Sequence, residues 1–220
     1  MVYARQVAGQ ELTFGVSGKL IMNAVVMYDH QTETLWSQFL SLGVDGPLAG
    51  TRLELLPTLQ TDWKTWLELH PDTLMLDAGR PPGRDSYAGY YRGGRAGILG
   101  EKNRDDRLAG KELVLALEVD GNVRAYAFSR RREQPVVNDM LSGRNVLVTF
   151  DAPSNTALTF DMEPGEDGGF TLRDRETGTQ WAPLTGEALS GKLVGRRLRQ
   201  LPANYTFWFA WTDFYPDTEL

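Results

Sequence analysis

The residues able to do chemistry are few. The chain has no cysteine and only two histidines, His30 and His70. Thiolate nucleophiles, thiolate metal sites and disulfides are therefore excluded. Ser17, in Gly15-Val16-Ser17-Gly18, resembles part of a nucleophile elbow, but the Gly-x-Ser-x-Gly pattern is not completed. A hydroxyl nucleophile also needs a neighbouring base, for which His70 or His30 would have to serve. Two histidines far apart in sequence, with scattered acids, make no zinc spacing, so the reading assigns no metal and no cofactor. Gly18-Lys19-Leu20 lacks both the upstream glycine and the hydroxyl of a phosphate loop.

The carboxylates, arginines and tryptophans form a pattern of another kind. Residues 29–75 and 174–220 align without a gap at an offset of 145, with 17 identities in 47 positions. Asp29, Thr32, Thr34 and Trp36 recur as Asp174, Thr177, Thr179 and Trp181. Arg52 recurs as Arg197, Trp63 and Trp66 as Trp208 and Trp211, and Pro71-Asp72-Thr73 as Pro216-Asp217-Thr218. Rare tryptophans do not align in threes by chance, so the pattern reads as an internal duplication. Asp29 and Asp174 fit turns in which a carboxylate accepts from nearby backbone amides, and Asp72 and Asp217 fit a turn at a helix stop. Arg52 and Arg197 are expected to stack on tryptophan or tie down carbonyls, a scaffold role.

The elements that must position these residues are mostly strands. Glu11–Phe14 alternates, Ala24–Tyr28 is a short apolar run, and Thr51–Leu56 reads as a strand ending at Pro57. Thr61–Leu69 is expected to be a helix capped by Thr61, with Trp63, Trp66, Leu67 and His70 on one face and Pro71 as its stop. Thr206 is expected to cap the second helix, bearing Trp208, Trp211 and Tyr215. Residues 79–110 hold eight glycines and seven basic residues, which reads as a connector ordered around Tyr87, Tyr90 and Tyr91. Beyond it, Glu112–Val119 and Val123–Phe128 flank an Asp120-Gly121-Asn122 hairpin turn. Val146–Phe150 and Ala157–Asp161 are two more strands, and 163–169 is a polar turn. Arg130-Arg131-Arg132 reads as a solvated loop. Leu12-Thr13-Phe14 matches Leu158-Thr159-Phe160, one residue off the main repeat, so the first module is expected to lack most of the strands that precede the second, with Glu11–Phe14 as an open edge.

Bulk composition sets the class. Hydrophobic residues are 41% and charged residues 24%, the balance of a globular protein. A net charge of −6 argues against a nucleic-acid binder. The chain contains no apolar run long enough for a membrane helix and no leader, so as written it is expected to be cytoplasmic.

Several blocks resemble the bacterial and archaeal family called "domain of unknown function 3179". They run from Leu12-Thr-Phe-Gly-Val-Ser-Gly-Lys19 through Met27-Tyr-Asp29, Leu35-Trp-Ser-Gln38, Gly46-Pro-Leu-Ala-Gly-Thr-Arg-Leu53 and Tyr87-Ala-Gly-Tyr90. They continue through Arg124-Ala-Tyr126 and Val137-Asn-Asp139 to Phe207-Trp-Phe-Ala-Trp211 and Tyr215-Pro-Asp-Thr218. The resemblance implies an upstream half with a Tyr-Cys-Pro-Leu-Cys segment, which this chain lacks; its second module reads Thr149-Phe-Asp-Ala-Pro-Ser154 there. Relatives of full length are often exported. The resemblance promises no activity.

The reading is a mainly β fold (α+β with two short Trp-bearing helices), built from two related modules as one pseudo-symmetric unit. A truncated first module covers 1–78, a connector 79–110 and a complete second module 111–220. The expected function is binding without catalysis. A peptide, protein partner or small ligand would meet an aromatic groove or an open sheet edge, with Trp63, Trp66, His70, Trp208, Trp211 and Tyr215 as ligand-binding residues. No nucleic acid or membrane is expected, and a homodimer through the N-terminal edge is one outcome. The alternative is a hydrolase or biosynthetic enzyme using Ser17, His70 or the recurring carboxylates.

Overall fold

The structure is a computed structural model that describes residues 1–77, 79, 83, 86–161, 173–174 and 176–220. It is mainly β, with several antiparallel sheets and four short helices among the described residues. The chain opens with a two-stranded hairpin, β1 (Gln6–Val7) and β2 (Gln10–Glu11). A four-stranded meander follows: β3 (Phe14–Ile21), β4 (Ala24–Asp29), β5 (Leu35–Ser37) and β6 (Leu42–Asp45), paired in that order. Met22 and Asn23 both take positive φ at the β3–β4 turn, the twist that matches two-residue hairpins. The expected strand at Thr51–Leu56 is reduced to two isolated bridges, Leu42 with Arg52 and Tyr3 with Leu55. Then come α1 (Trp63–Leu69) and α2 (Ala88–Arg92).

The second half begins with β7 (Leu113–Val119) and β8 (Asn122–Ala127), joined by Asp120-Gly121 as the sequence predicts. Arg130-Arg131-Arg132 lies in a helix, α3 (Phe128–Glu133), rather than in a loop. β9 (Val136–Leu141), which the sequence did not announce, pairs with β10 (Arg144–Asp151), and β10 with β11 (Thr156–Asp161). The expected polar turn at 163–169 lies outside the described residues. β12 (Gln180–Trp181), β13 (Ala188–Ser190), β14 (Arg199–Gln200), β15 (Asn204–Phe207) and α4 (Trp208–Phe214) complete the chain. The sheet orders are β14-β11-β10-β9 and β15-β7-β8, with β12-β13 as a separate pair.

The first and second halves share a core. Ala24 and Phe39 pack with Val114, Ala116, Ala125, Trp208 and Trp211. Phe39 stacks on Phe214 with centroids 4.8 Å apart, and the Tyr215 hydroxyl donates to the Phe39 carbonyl at 3.0 Å. The connector is tied down as well. Asn23 holds the Leu99 amide and the Gly100 carbonyl, and Lys111 sits over the Tyr90 ring at 3.8 Å.

The N-terminal segment pairs within its own half. The Ala4 amide donates to the Glu54 carbonyl and the Leu56 amide to the Val2 carbonyl, both at 2.9 Å. In the second half, Leu201 (the repeat equivalent of Leu56) donates to the Thr159 carbonyl at 2.8 Å. The counterpart of Thr159 is therefore Val2, not Thr13, and the Leu12-Thr13-Phe14 match is one of sequence pattern alone. Leu12 itself is fully buried, packed with Val7, Trp36 and Leu53.

Candidate functional site

The repeated turns are built alike. Trp36 Nε1 donates to Asp29 Oδ2 at 2.9 Å, and the Thr32 amide and hydroxyl both donate to the same carboxylate. The Thr32 and Thr34 hydroxyls meet at 2.7 Å, and Thr34 Oγ1 accepts from the Leu48 amide at 3.1 Å. At the offset of 145, Thr177 donates to Asp174, the Thr177 and Thr179 hydroxyls meet at 2.6 Å, and Thr179 Oγ1 accepts from the Leu193 amide at 3.2 Å. Gly46 and Gly191 take positive φ, and a Cβ on either would strike the threonine backbone below 3 Å. Burial alone would raise Asp29 and Asp174, but the indole and threonine donors at Asp29, and the threonine and backbone donors at Asp174, hold both below the usual carboxylate range. These acids accept turn hydrogen bonds, which is a structural role.

The repeated helices are also alike in local geometry. Each is seven residues long. Trp66 Nε1 donates to Thr73 Oγ1 and Trp211 Nε1 to Thr218 Oγ1, both at 2.9 Å. Trp66 lies 4.3 Å from His70 and Trp211 4.1 Å from Tyr215, ring centre to ring centre. The caps differ from the sequence reading. Asp62, not Thr61, caps α1 by accepting from the Thr65 amide, and Phe207 precedes α4 with no side-chain cap. Thr61 is engaged elsewhere, with its hydroxyl 2.8 Å from that of Thr156.

Their surroundings differ. Trp208 and Trp211 have no exposed surface. They lie on β7 and β8, where Val114, Ala116 and Ala125 leave room for the rings. The connector closes the other side: Trp208 Nε1 donates to the Asp105 carbonyl at 3.0 Å, and Arg107 lies 5.2 Å over the Trp208 ring. Asp213 Oδ1 accepts from the Lys102 and Asn103 amides. By contrast α1 has no buried residue, and Trp63 is 50% exposed. Leu74, Met75 and Leu76, just beyond it in the chain, are among the most exposed large apolar residues of those described. Of the six aromatic residues predicted as ligand-binding, Trp63, Trp66 and His70 thus share one accessible helix. Trp208 and Trp211 offer no ring surface to a ligand in this structure, and Tyr215 is half-buried between the halves.

The residues of the catalytic alternative do not converge. Ser17 Oγ donates to the Val26 carbonyl at 2.6 Å and accepts from the Lys19 amide at 3.1 Å, bracing the irregularity in β3. His30 packs on Tyr28 and His70 on Trp66. Among the described residues no group of three His, Asp or Glu side chains could hold a metal, and no helix is long and apolar enough to cross a membrane. Arg52 and Arg197 are exposed; Arg52 reaches the Leu40 carbonyl at 3.5 Å, and Arg197 pairs with Glu187.

One polar cluster escaped sequence reasoning. Arg124 on β8 pairs with Asp139 on β9 and with Glu219, and the Tyr126 hydroxyl donates to Asp139 at 2.9 Å. Arg131 lies beside them with Nε and Nη1 buried and unpartnered among the described residues, so desolvation lowers its pKa. Burial raises Asp139, but the Arg124 and Tyr126 donors outweigh it and leave the carboxyl below its usual range. The only signal was the Arg124-x-Tyr126 and Asn138-Asp139 blocks quoted for the family resemblance, which carried no spacing rule. A groove of about 650 Å³, lined by Glu133, Pro135, Val136, Gln180 and Ser190 among others, lies at the β9 end of this region and includes none of the six aromatic residues.

Comparison with curated proteins and with solved structures finds no match. The family comparison does, over residues 1–218. The chain therefore belongs to the family described as protein of unknown function DUF3179.

Proposed function

We propose that this chain is a non-catalytic binding protein that recognises a polypeptide partner through the uncovered aromatic face of its first repeat. We take the two repeats as products of a duplication joined in one pseudo-symmetric unit, supported by the recurring hydrogen bonds at Asp29 and Asp174 and at Trp66 and Trp211. The single observation that carries the reading is the contrast between α1 and α4. The same helix, with the same tryptophans, buries both of them in one repeat and in the other has no buried residue and leaves Trp63 half exposed. An exposed tryptophan on a helix that is followed in the chain by three exposed apolar residues, Leu74, Met75 and Leu76, is the kind of surface that proteins use as a contact.

Panning displayed random polypeptides against the purified chain tests this. Binders are expected to lose about tenfold or more in affinity to Trp63→Ala, the effect of a contact-centre residue. Binders indifferent to Trp63, or turnover of ester or amide substrates abolished by Ser17→Ala, would overturn it in favour of the hydrolase alternative.

A further inference from the structure

Three features of the second repeat meet the β7–β8 hairpin. First, β15 pairs with β7, matching Asn204 with Ala116, Tyr205 with Leu115, Thr206 with Val114 and Phe207 with Leu113. The pairing continues into the helix start, where the Trp208 amide donates to the Glu112 carbonyl at 2.8 Å. Second, α4 lays Trp208 and Trp211 on the hairpin face formed by Val114, Ala116 and Ala125. Third, Glu219 adds to β8 in parallel: the Ala125 amide donates to its carbonyl at 2.9 Å, and its amide donates to the Val123 carbonyl at 3.0 Å.

The first repeat presents the same three features without a hairpin. At the offset of 145, β15 corresponds to Leu59–Asp62, α4 to α1, and Glu219 to Leu74. Leu59, Gln60 and Thr61 belong to no helix or strand, Asp62 is extended, and no backbone hydrogen bond joins Leu59, Gln60 or Thr61 to another strand among the described residues. Trp63 is half exposed, and Leu74 is 94% exposed with no backbone partner among the described residues. The turn leading to Leu74 is already formed: the Thr73 amide donates to the His70 carbonyl at 3.1 Å, as the Thr218 amide does to the Tyr215 carbonyl. Leu59 packs against Leu147, Leu158 and Phe160, and the Thr61 hydroxyl meets that of Thr156, yet the backbone edge of Leu59, Gln60 and Thr61 that corresponds to the β7-paired edge of β15 is unpaired among the described residues.

The geometry points to a β-hairpin of a partner protein as the occupant of this place. One strand adds antiparallel to Leu59–Asp62, the other receives Leu74 in parallel, and small apolar side chains at alternate positions seat Trp63 and Trp66. Strand addition gives affinity through main-chain hydrogen bonds, and the tryptophan pockets give selectivity. In the antiparallel ladder bonded pairs alternate, so the Trp208-to-Glu112 bond fixes the register. The outward donors of the first repeat are the amides of Trp63, Thr61 and Leu59. The hairpin's opposite face belongs to the partner's own core, as Leu115, Leu117 and Tyr126 belong to the core of this chain.

The inference rests on the proposed binding role of the Trp63 face, and its test separates the two. The probe is a displayed library of disulfide-closed hairpins on the frame of Leu113–Ala127, with the tryptophan-facing positions varied and the opposite face made polar. It is panned beside libraries of linear and helical peptides. Hairpin binders are expected, weakened about tenfold by Trp63→Ala and by Thr61→Pro but not by Thr61→Ala. Both Thr61 changes remove the hydroxyl bond to Thr156; only proline removes the amide donor. Binders drawn only from the linear or helical libraries, sensitive to Trp63→Ala and indifferent to Thr61→Pro, would overturn the hairpin and leave the binding role standing. No Trp63-dependent binder from any library would overturn both. A dimer by light scattering that Trp63→Arg dissociates would make a second copy the occupant, and would overturn the partner hairpin.

Discussion

Trp63 and Trp208 hold the same position in the repeat, yet half of Trp63 is in contact with water and none of Trp208 is. The difference does not come from the helix backbones, which share length, the backbone geometry of both ends and the indole-to-threonine hydrogen bond, although only α1 has a side-chain cap. It comes from the β7–β8 hairpin and the connector, which cover only the second helix.

The two tryptophans should therefore respond differently to truncation. Trp208→Ala is expected to cost about 3–5 kcal/mol, because it empties a large site in a core held by strands that cannot collapse onto it. Trp63→Ala is expected to change stability by less than about 1 kcal/mol. Urea unfolding of the two variants measures both, and similar costs would mean that α1 is covered.

Asp29 makes a second test. It is fully buried and accepts from Trp36 and from both donors of Thr32. Asp29→Ala strands these donors and is expected to cost about 2–4 kcal/mol. The folded carboxyl titrates below the ordinary aspartate value of about 3.9. Its contribution is therefore fully present above that value and is lost as pH falls through the folded one. Asp174 behaves in the same sense. Unfolding free energy should drop steeply below about pH 4, and the drop should shrink in Asp29→Asn.

The Arg124 cluster predicts a spectroscopic change. Burial raises the Tyr126 pKa above the ordinary phenol value, and the adjoining Asp139 charge and hydrogen bond raise it further. In Asp139→Asn the charge is gone, so the phenol should ionise at lower pH than in the parent chain. Alkaline absorbance titration reads this directly, with Tyr126→Phe identifying the band.

Much of this was legible in the sequence, for identifiable reasons. The turns at Asp29 and Asp174 were readable because carboxylate, threonine and glycine requirements are local. The β7–β8 hairpin was readable because Asp120-Gly121 fits a two-residue turn and few other structures. The cap of α1 was misread at Thr61 because Thr61 and Asp62 are both good caps locally, and the choice rests on Thr156, far away in sequence. β9 was missed because Val136-Val137-Asn138-Asp139-Met140-Leu141 does not alternate cleanly. It is an edge strand whose side chains divide among two apolar clusters (Val137 and Leu141 in one, Val136 in the other), the Arg124 ion pair (Asp139) and the surface (Asn138 and Met140). The open edge was placed at Glu11–Phe14 because apolar alternation matched Leu158–Phe160, whereas hydrogen bonding makes Val2 the counterpart of Thr159.

Arg52 was expected to be scaffold, and its exposure lowers the stakes. An exposed guanidinium 3.5 Å from one carbonyl contributes little. Arg52→Ala should change stability by less than about 1 kcal/mol, which thermal unfolding can check. A larger loss would mean that its proximity to Tyr215, between the two halves, matters more than the single contact.

Amide hydrogen exchange on the free chain tests the central claim most directly. Asn204 and Thr206 lie in a paired strand that leads into a largely buried helix, whereas Leu59 and Thr61, their repeat equivalents, have no strand partner among the described residues. The account predicts protection of Asn204 and Thr206 at least about a hundredfold greater than that of Leu59 and Thr61, in a monomer without ligand. Equal protection of the two segments in that monomer would contradict it.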